Sequence, residues 1–209
     1  MHKTSIAMLA GAAAMIAAMT AAACSQPTAA QTSPTYDQAR VQRGEYLVTI
    51  GGCNDCHTPW KMGPKGPEPD MSRMLSGHPE QFVIKGPAKL SSPEWAGASA
   101  PTNTAHSGPW GVSFTANLTP DQNTGLGIWT EEMFIKALRT GRHMGASREI
   151  LPPMPWFNYG KMSDLDLKAV YAYLRSIPAI HNRVSDPLPP TAPPQMTDAG
   201  TPATPAAAQ

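Results

Sequence analysis

The chain has 209 residues, enough for one domain or a small pair, but 23 are proline and 17 glycine, and Ala and Thr crowd both ends. A modest core with flexible extensions follows from that composition. Sixteen basic residues against 15 acidic give +1, which excludes nucleic acid and anionic membrane as partners recruited by charge alone.

Residues 1–23 read as an export signal. Lys3 gives a short basic start, residues 6–23 are an apolar run, and small residues lead into Cys24. The run is shorter than the ~20 apolar residues of a spanning helix and has a signal peptide's exit. Cys24 is the odd cysteine of three. It stands where a bacterial lipoprotein signal would be cut, although Ala21 replaces the usual Leu. Acylation would remove a free thiol from an oxidising compartment; ordinary cleavage near Ala23 or Ala30 is the alternative. Ser25 leans a lipoprotein toward the outer rather than the inner membrane. Residues 24–35 are then a polar tether, and the expected folded domain covers residues 36–180.

The first helix is expected from about Asp37 to Ile50, with Gly44, Leu47 and Val48 on one face. A glycine on a buried helical face costs about 1 kcal/mol relative to Ala; its use is to let another helix cross closely.

Next comes Cys53-Asn54-Asp55-Cys56-His57. A Cys-x-x-Cys-His run attaches c-type haem. The two thiols add across the vinyl groups, and the histidine falls beneath the iron as proximal ligand. A thioredoxin-like pair would want a strand before it within a βαβ pattern, whereas a glycine-ended helix precedes this one. Zinc would need a second ligand pair, and no further cysteine pair exists. One motif implies one haem c, held by two thioethers.

Nine prolines between Pro59 and Pro109 interrupt every candidate element. Residues 61–115 are therefore expected to be a long irregular insertion, with short strands at most over residues 82–85 and 112–114. Beyond it, Asp121 to Glu132 has the outline of a calcium loop, but Leu126 occupies the position that needs glycine. A turn capped by Asp121 is the expected structure.

The second helix opens at Thr130 as N-cap, with Glu131 and Glu132 in its first turn, Met133, Phe134, Ala137 and Leu138 on its apolar face, and Gly141 as its stop. Leu151-Pro152-Pro153-Met154-Pro155-Trp156 follows. Its prolines fix the backbone without helical support, making Met154 the favoured sixth ligand; a Met/His pair suits electron transfer. Met133, Met144, His78, His106, His143 and His181 stand as alternatives. The third helix starts at Ser163, with Asp166 as capping-box partner, and runs through Leu167, Val170, Tyr171 and Leu174 to a close at Pro178. Residues 181–209, rich in Pro, Ala and Thr, bury too little apolar area to order and are expected to be disordered.

Gly44-Glu45-Tyr46-Leu47-Val48, the haem motif, Asn117-Leu118-Thr119-Pro120-Asp121, Gly125-Leu126-Gly127-Ile128-Trp129, Met154-Pro155 and Tyr173-Leu174 together resemble class I c-type cytochrome domains. More narrowly, they are similar to the repeated domains in cytochrome subunits of membrane-bound alcohol, gluconate and related dehydrogenases. This chain has one haem motif where those subunits usually carry several. The resemblance implies a mainly α cytochrome c fold around the haem, with the first and last helices crossing near Gly44 and Tyr173. It also implies that Asn117 and Trp129 lie near the propionates.

The functional expectation is a periplasmic electron carrier, not an enzyme. It would pass single electrons between a donor, a dehydrogenase or quinol-oxidising protein, and an acceptor such as a terminal oxidase or another cytochrome. The alternative is a haem peroxidase or sensor with a displaceable distal ligand.

Overall fold

The computed structural model describes residues 35–190, apart from residues 91 and 93. The expected leader, Cys24, nearly all of the tether and the tail beyond residue 190 lie outside the described residues.

Helix α1, Gln38–Ile50, is opened by Asp37, whose carboxylate accepts from the Ala39 amide, and it ends at Gly51. It crosses α5, Asp164–Ser176, at the glycine that the sequence marks. A Cβ on Gly44 would run into the Ala169 carbonyl and sit 2.7 Å from Tyr173 Cβ. Leu47 and Val48 join Val170, Tyr171 and Leu174 across this crossing in the principal core. Arg43 pairs with Asp166 at 3.0 Å along its edge.

Helix α3, Glu131–Thr140, has Thr130 as N-cap, accepting from the Met133 amide, and left-handed Gly141 as its stop. Phe134 and Ala137 are its buried residues, and Phe134 packs on Tyr171. Ser163 caps α5 through the Asp166 amide. The expected capping box is only half made, because the Asp166 carboxylate turns to Arg43 instead.

The expected irregular insertion is partly sheet, so the mainly α description needs amending. Strands β1, Trp60–Gly63, and β2, Gly66–Pro69, form an antiparallel hairpin. Strands β3, Ala98–Ser99, β4, Ala105–Gly108, and β5, Gly111–Phe114, form a three-stranded antiparallel sheet. The prolines permit this by position. Pro64 and Pro109 fall in two-residue turns, while Pro67 and Pro69 lie on a two-stranded ribbon, where an absent N–H costs least. The expected strand at 112–114 lies within β5. Residues 82–85 are not a strand; Phe82 instead closes a turn onto the Pro79 carbonyl.

Residues 181–190, expected to be disordered, pack back across the insertion. Asn182 is fully buried. Its amide donates to the carbonyls of Ser76 and His78 at 2.7 and 2.8 Å, and its side-chain oxygen accepts from Arg73 and the Glu80 amide. Leu188 exchanges both backbone bonds with Val112 and, with Val184, covers a second core of Ala105, Val112 and Phe114. Composition registers only the missing apolar area; here specific hydrogen bonds hold the segment. No helix among the described residues is long and apolar enough to cross a membrane.

Candidate haem-attachment site

The Cys53–His57 turn is its own short helix, α2, begun by Gly52 with φ +64°. That left-handed step is what glycine supplies at little cost. Thr58 Oγ1 donates to Asn54 Oδ1 and accepts from the Leu75 amide, while Gly77 donates to the His57 carbonyl. The insertion grips the turn as well: the Trp60 indole and the Asn103 amide both donate to the Asp55 carbonyl.

His57 is buried, and its Nδ1 lies 2.8 Å from the Ala116 carbonyl. A carbonyl only accepts, so Nδ1 carries the proton and Nε2 keeps its lone pair free. Burial lowers the imidazole's proton affinity, with the Ala116 bond opposing. A neutral ring with one tied nitrogen is the form that ligates a metal.

Cys53 and Cys56 are unpaired and partly buried. Burial, helped by the Asp55 charge, pushes the Cys53 thiol up to about 11, and the same causes raise Cys56. A reactive redox pair needs lowered thiol values, so the environment is wrong for thioredoxin-like chemistry. Among the described residues no group of three His, Cys, Asp or Glu converges as zinc would require. Two free thiols on one helical turn, followed by a histidine with a bare Nε2, fit covalent haem c, which would be held by Cys53, Cys56 and His57.

Met154 is half-buried, between Pro153 and Pro155. Upstream, Ser113 Oγ donates to the Pro152 carbonyl at 2.5 Å. Downstream, α4, Trp156–Tyr159, sends the Tyr159 hydroxyl to the Gly51 carbonyl at 2.5 Å, beside the haem motif. Trp156 seats its indole over Gly141, where a Cβ would collide with the ring. Ser113, Ala116 and Tyr159 were not singled out by the sequence; a carbonyl carries no side-chain signal at all.

Of the other histidines, His78, His143 and His181 have contacts of their own, while His106 keeps one nitrogen unpartnered. His78 bridges Thr104 and the Phe82 carbonyl. His106 bonds Ser99 through Nδ1, and its buried Nε2 has no partner. His181 faces Asp121, whose carboxylate caps the expected turn through Asn123 and Thr124. His143 meets Trp129 edge-on at 4.9 Å. Asn117, implied to lie near the propionates, is buried and hydrogen-bonded within its own loop. Its amide nitrogen donates to Thr124 and to the Ile180 carbonyl, and its oxygen accepts from Thr119 twice, so the side chain is spent on the loop. Trp129 packs against the principal core, and its carbonyl accepts from Tyr171.

No protein-family model matches the chain. It is 31% identical over 138 residues to the cytochrome c subunit of a quinone-type alcohol dehydrogenase of Gluconobacter oxydans, covering 66% of this chain and 21% of that one. It is 31% identical over 147 residues to a fructose dehydrogenase cytochrome subunit of Gluconobacter japonicus, covering 68% and 23%. A gluconate 2-dehydrogenase cytochrome c subunit of Pantoea cypripedii is 32% identical over 145 residues, covering 69% and 25%. Site and relatives together define a c-type cytochrome. More narrowly, the chain resembles the cytochrome c subunits of alcohol, fructose and gluconate dehydrogenases, and it spans about a fifth to a quarter of their length.

Proposed function

We propose that this chain is a periplasmic electron-transfer protein carrying one haem c, with His57 and Met154 as its axial ligands. The observation that supports it most is the His57 ring, whose Nδ1 proton is committed to Ala116 while Nε2 stays bare after two free thiols. Haem c supplies a one-electron iron couple. The chain's own part is to hold the proximal imidazole neutral and fixed, and to offer a thioether from a loop pinned on both sides. Thioether sulfur raises the potential relative to a second imidazole. Trp129 remains the candidate for a propionate contact.

By analogy with the named relatives, the redox partner is a dehydrogenase. Attachment to the membrane would run through acylated Cys24, with the outer membrane favoured by Ser25. Acid–acetone extraction tests the haem: the pigment stays with the protein at one equivalent per chain, and the Cys53→Ala/Cys56→Ala variant yields no stable holoprotein. Extractable haem, or a second equivalent, overturns the assignment. Mass spectrometry of the mature N-terminus tests the anchor, since a free N-terminus beyond Cys24 rules acylation out.

A further inference from the structure

Residues 151–154 form a proline turn with no backbone tie to the rest of the domain. Pro152 and Pro153 have no N–H to give. Among the described residues no backbone hydrogen bond joins any of the four to a residue outside that turn. The one hydrogen bond that reaches them comes from a side chain, Ser113 Oγ to the Pro152 carbonyl.

Ser113 is placed for this by the pleat of β5. Its neighbours Val112 and Phe114 point into the second core, so Ser113 faces the other way, paired across the sheet with His106. It is itself buried, and of the two carbonyls within reach of its hydroxyl, Pro152 at 2.5 Å is much closer than His106 at 3.3 Å, so the loop takes the stronger bond. Three residues on, the Ala116 carbonyl fixes the His57 ring. One short stretch, residues 113–116, thus touches both the Met154 loop and the His57 ring.

We propose that Ser113 is the positioning residue for the sixth ligand: its bond to the Pro152 carbonyl holds the Met154 loop closed and so sets how firmly the thioether stays on iron. This rests on the reading of Met154 as that ligand. The insertion then acts on the distal ligand as well as on the haem turn.

The test uses the holoprotein. Ser113→Ala keeps covalent haem but raises the methionine-off fraction roughly fivefold, the effect of one lost hydrogen bond. Ferrous protein binds carbon monoxide faster by the same factor, the potential falls, and the sulfur-to-iron charge-transfer band fades at a lower temperature than in the parent. Should Ser113→Ala yield no holoprotein, Ser113→Thr and Ser113→Val form a pair of similar shape in which only Thr keeps parental values. Val184→Ala, which loosens the second core without touching the loop, leaves potential and carbon monoxide rate unchanged. Parental values in Ser113→Ala, or Thr and Val behaving alike, or an equal change in Val184→Ala, overturn the proposal. A Met154→Ala protein that keeps the band overturns the ligand assignment instead, which separates the two failures.

Discussion

His57 donates from Nδ1 to the carbonyl of Ala116, 59 residues further along the chain, at 2.8 Å. The ring that follows the two thiols is therefore aimed by the exit of strand β5, not by its own helix. Between them lies the whole insertion, which the sequence presents as an interruption. The hydrogen bonds from Trp60 and Asn103 to Asp55 reinforce the point from the opposite edge of the same turn. The insertion is thus part of the haem site's frame.

Replacing Met154 tests the distal side directly. Met154→Ala should lower the potential, abolish the sulfur-to-iron band and admit carbon monoxide or cyanide, while the thioether bonds remain. Met144→Ala and His143→Ala should change none of these, His143 being engaged with the edge of Trp129. A redox titration with absorption spectra of each variant decides the matter. A parent that lacks the band at neutral pH would favour the peroxidase or sensor alternative.

The crossing of α1 and α5 gives a stability prediction. An added Cβ at Gly44 meets the Ala169 carbonyl and the Tyr173 Cβ, and backbone cannot swing aside as a side-chain tip can. Gly44→Ala should destabilise the protein by about 1–3 kcal/mol, the usual cost of overpacking, despite alanine's better helix propensity. Denaturant unfolding would register this. A stabilised variant would mean that the two helices cross elsewhere.

Acid should loosen the insertion before it touches the carboxylates. Burial lowers the proton affinity of His78 and of His106, with His78 adding to the effect on His106. The unfolded chain takes up these protons from about pH 6.5 downward while the fold resists them. Unfolding therefore releases a preference for protonation, and stability is full above that pH and falls as pH drops through the depressed folded values. The carboxylates of Asp121 and Asp166, also lowered, lose their contributions only at more acidic pH. Thermal unfolding from pH 8 to 5 should show the decline, and the His78→Gln/His106→Gln variant should flatten it. An unchanged slope would assign the decline to other groups.

What was legible in the sequence was local. Thr130, Gly141 and Ser163 cap their helices through bonds within one turn, and Gly44 marks its crossing because only a missing side chain permits it. The haem turn is legible because its chemistry sits in five consecutive residues. Asn117 is ambiguous in the sequence, because a short polar side chain in a loop reads the same whether it binds a ligand or ties the loop together. The sheet in the insertion leaves no trace in the number of prolines, because it depends on their positions in turns and on a two-stranded ribbon. Ser113, Ala116 and Asn182 act through contacts 39 to 106 residues away, and no window along the chain contains both partners.

Asn182 is where that long-range dependence is most exposed to test. Its side chain takes four bonds: it donates to the Ser76 and His78 carbonyls and accepts from Arg73 and the Glu80 amide. Its backbone adds two more, accepting from Asn117 and donating to Thr124. Asn182→Ala would keep the backbone bonds but strand two buried carbonyls, an amide and a guanidinium in one place. Each unsatisfied buried group costs about 1–3 kcal/mol, with partial relief from water. The expected loss is about 2–3 kcal/mol in denaturant unfolding of the holoprotein. Asn182→Asp should be nearly as damaging, because it keeps the two acceptor bonds but turns an oxygen toward two carbonyls. Limited proteolysis should then cut both the 181–190 segment and residues 80–90 faster than in the parent. If cleavage stays at the parental rate and stability is unchanged, the segment after α5 is not what holds the insertion to the domain.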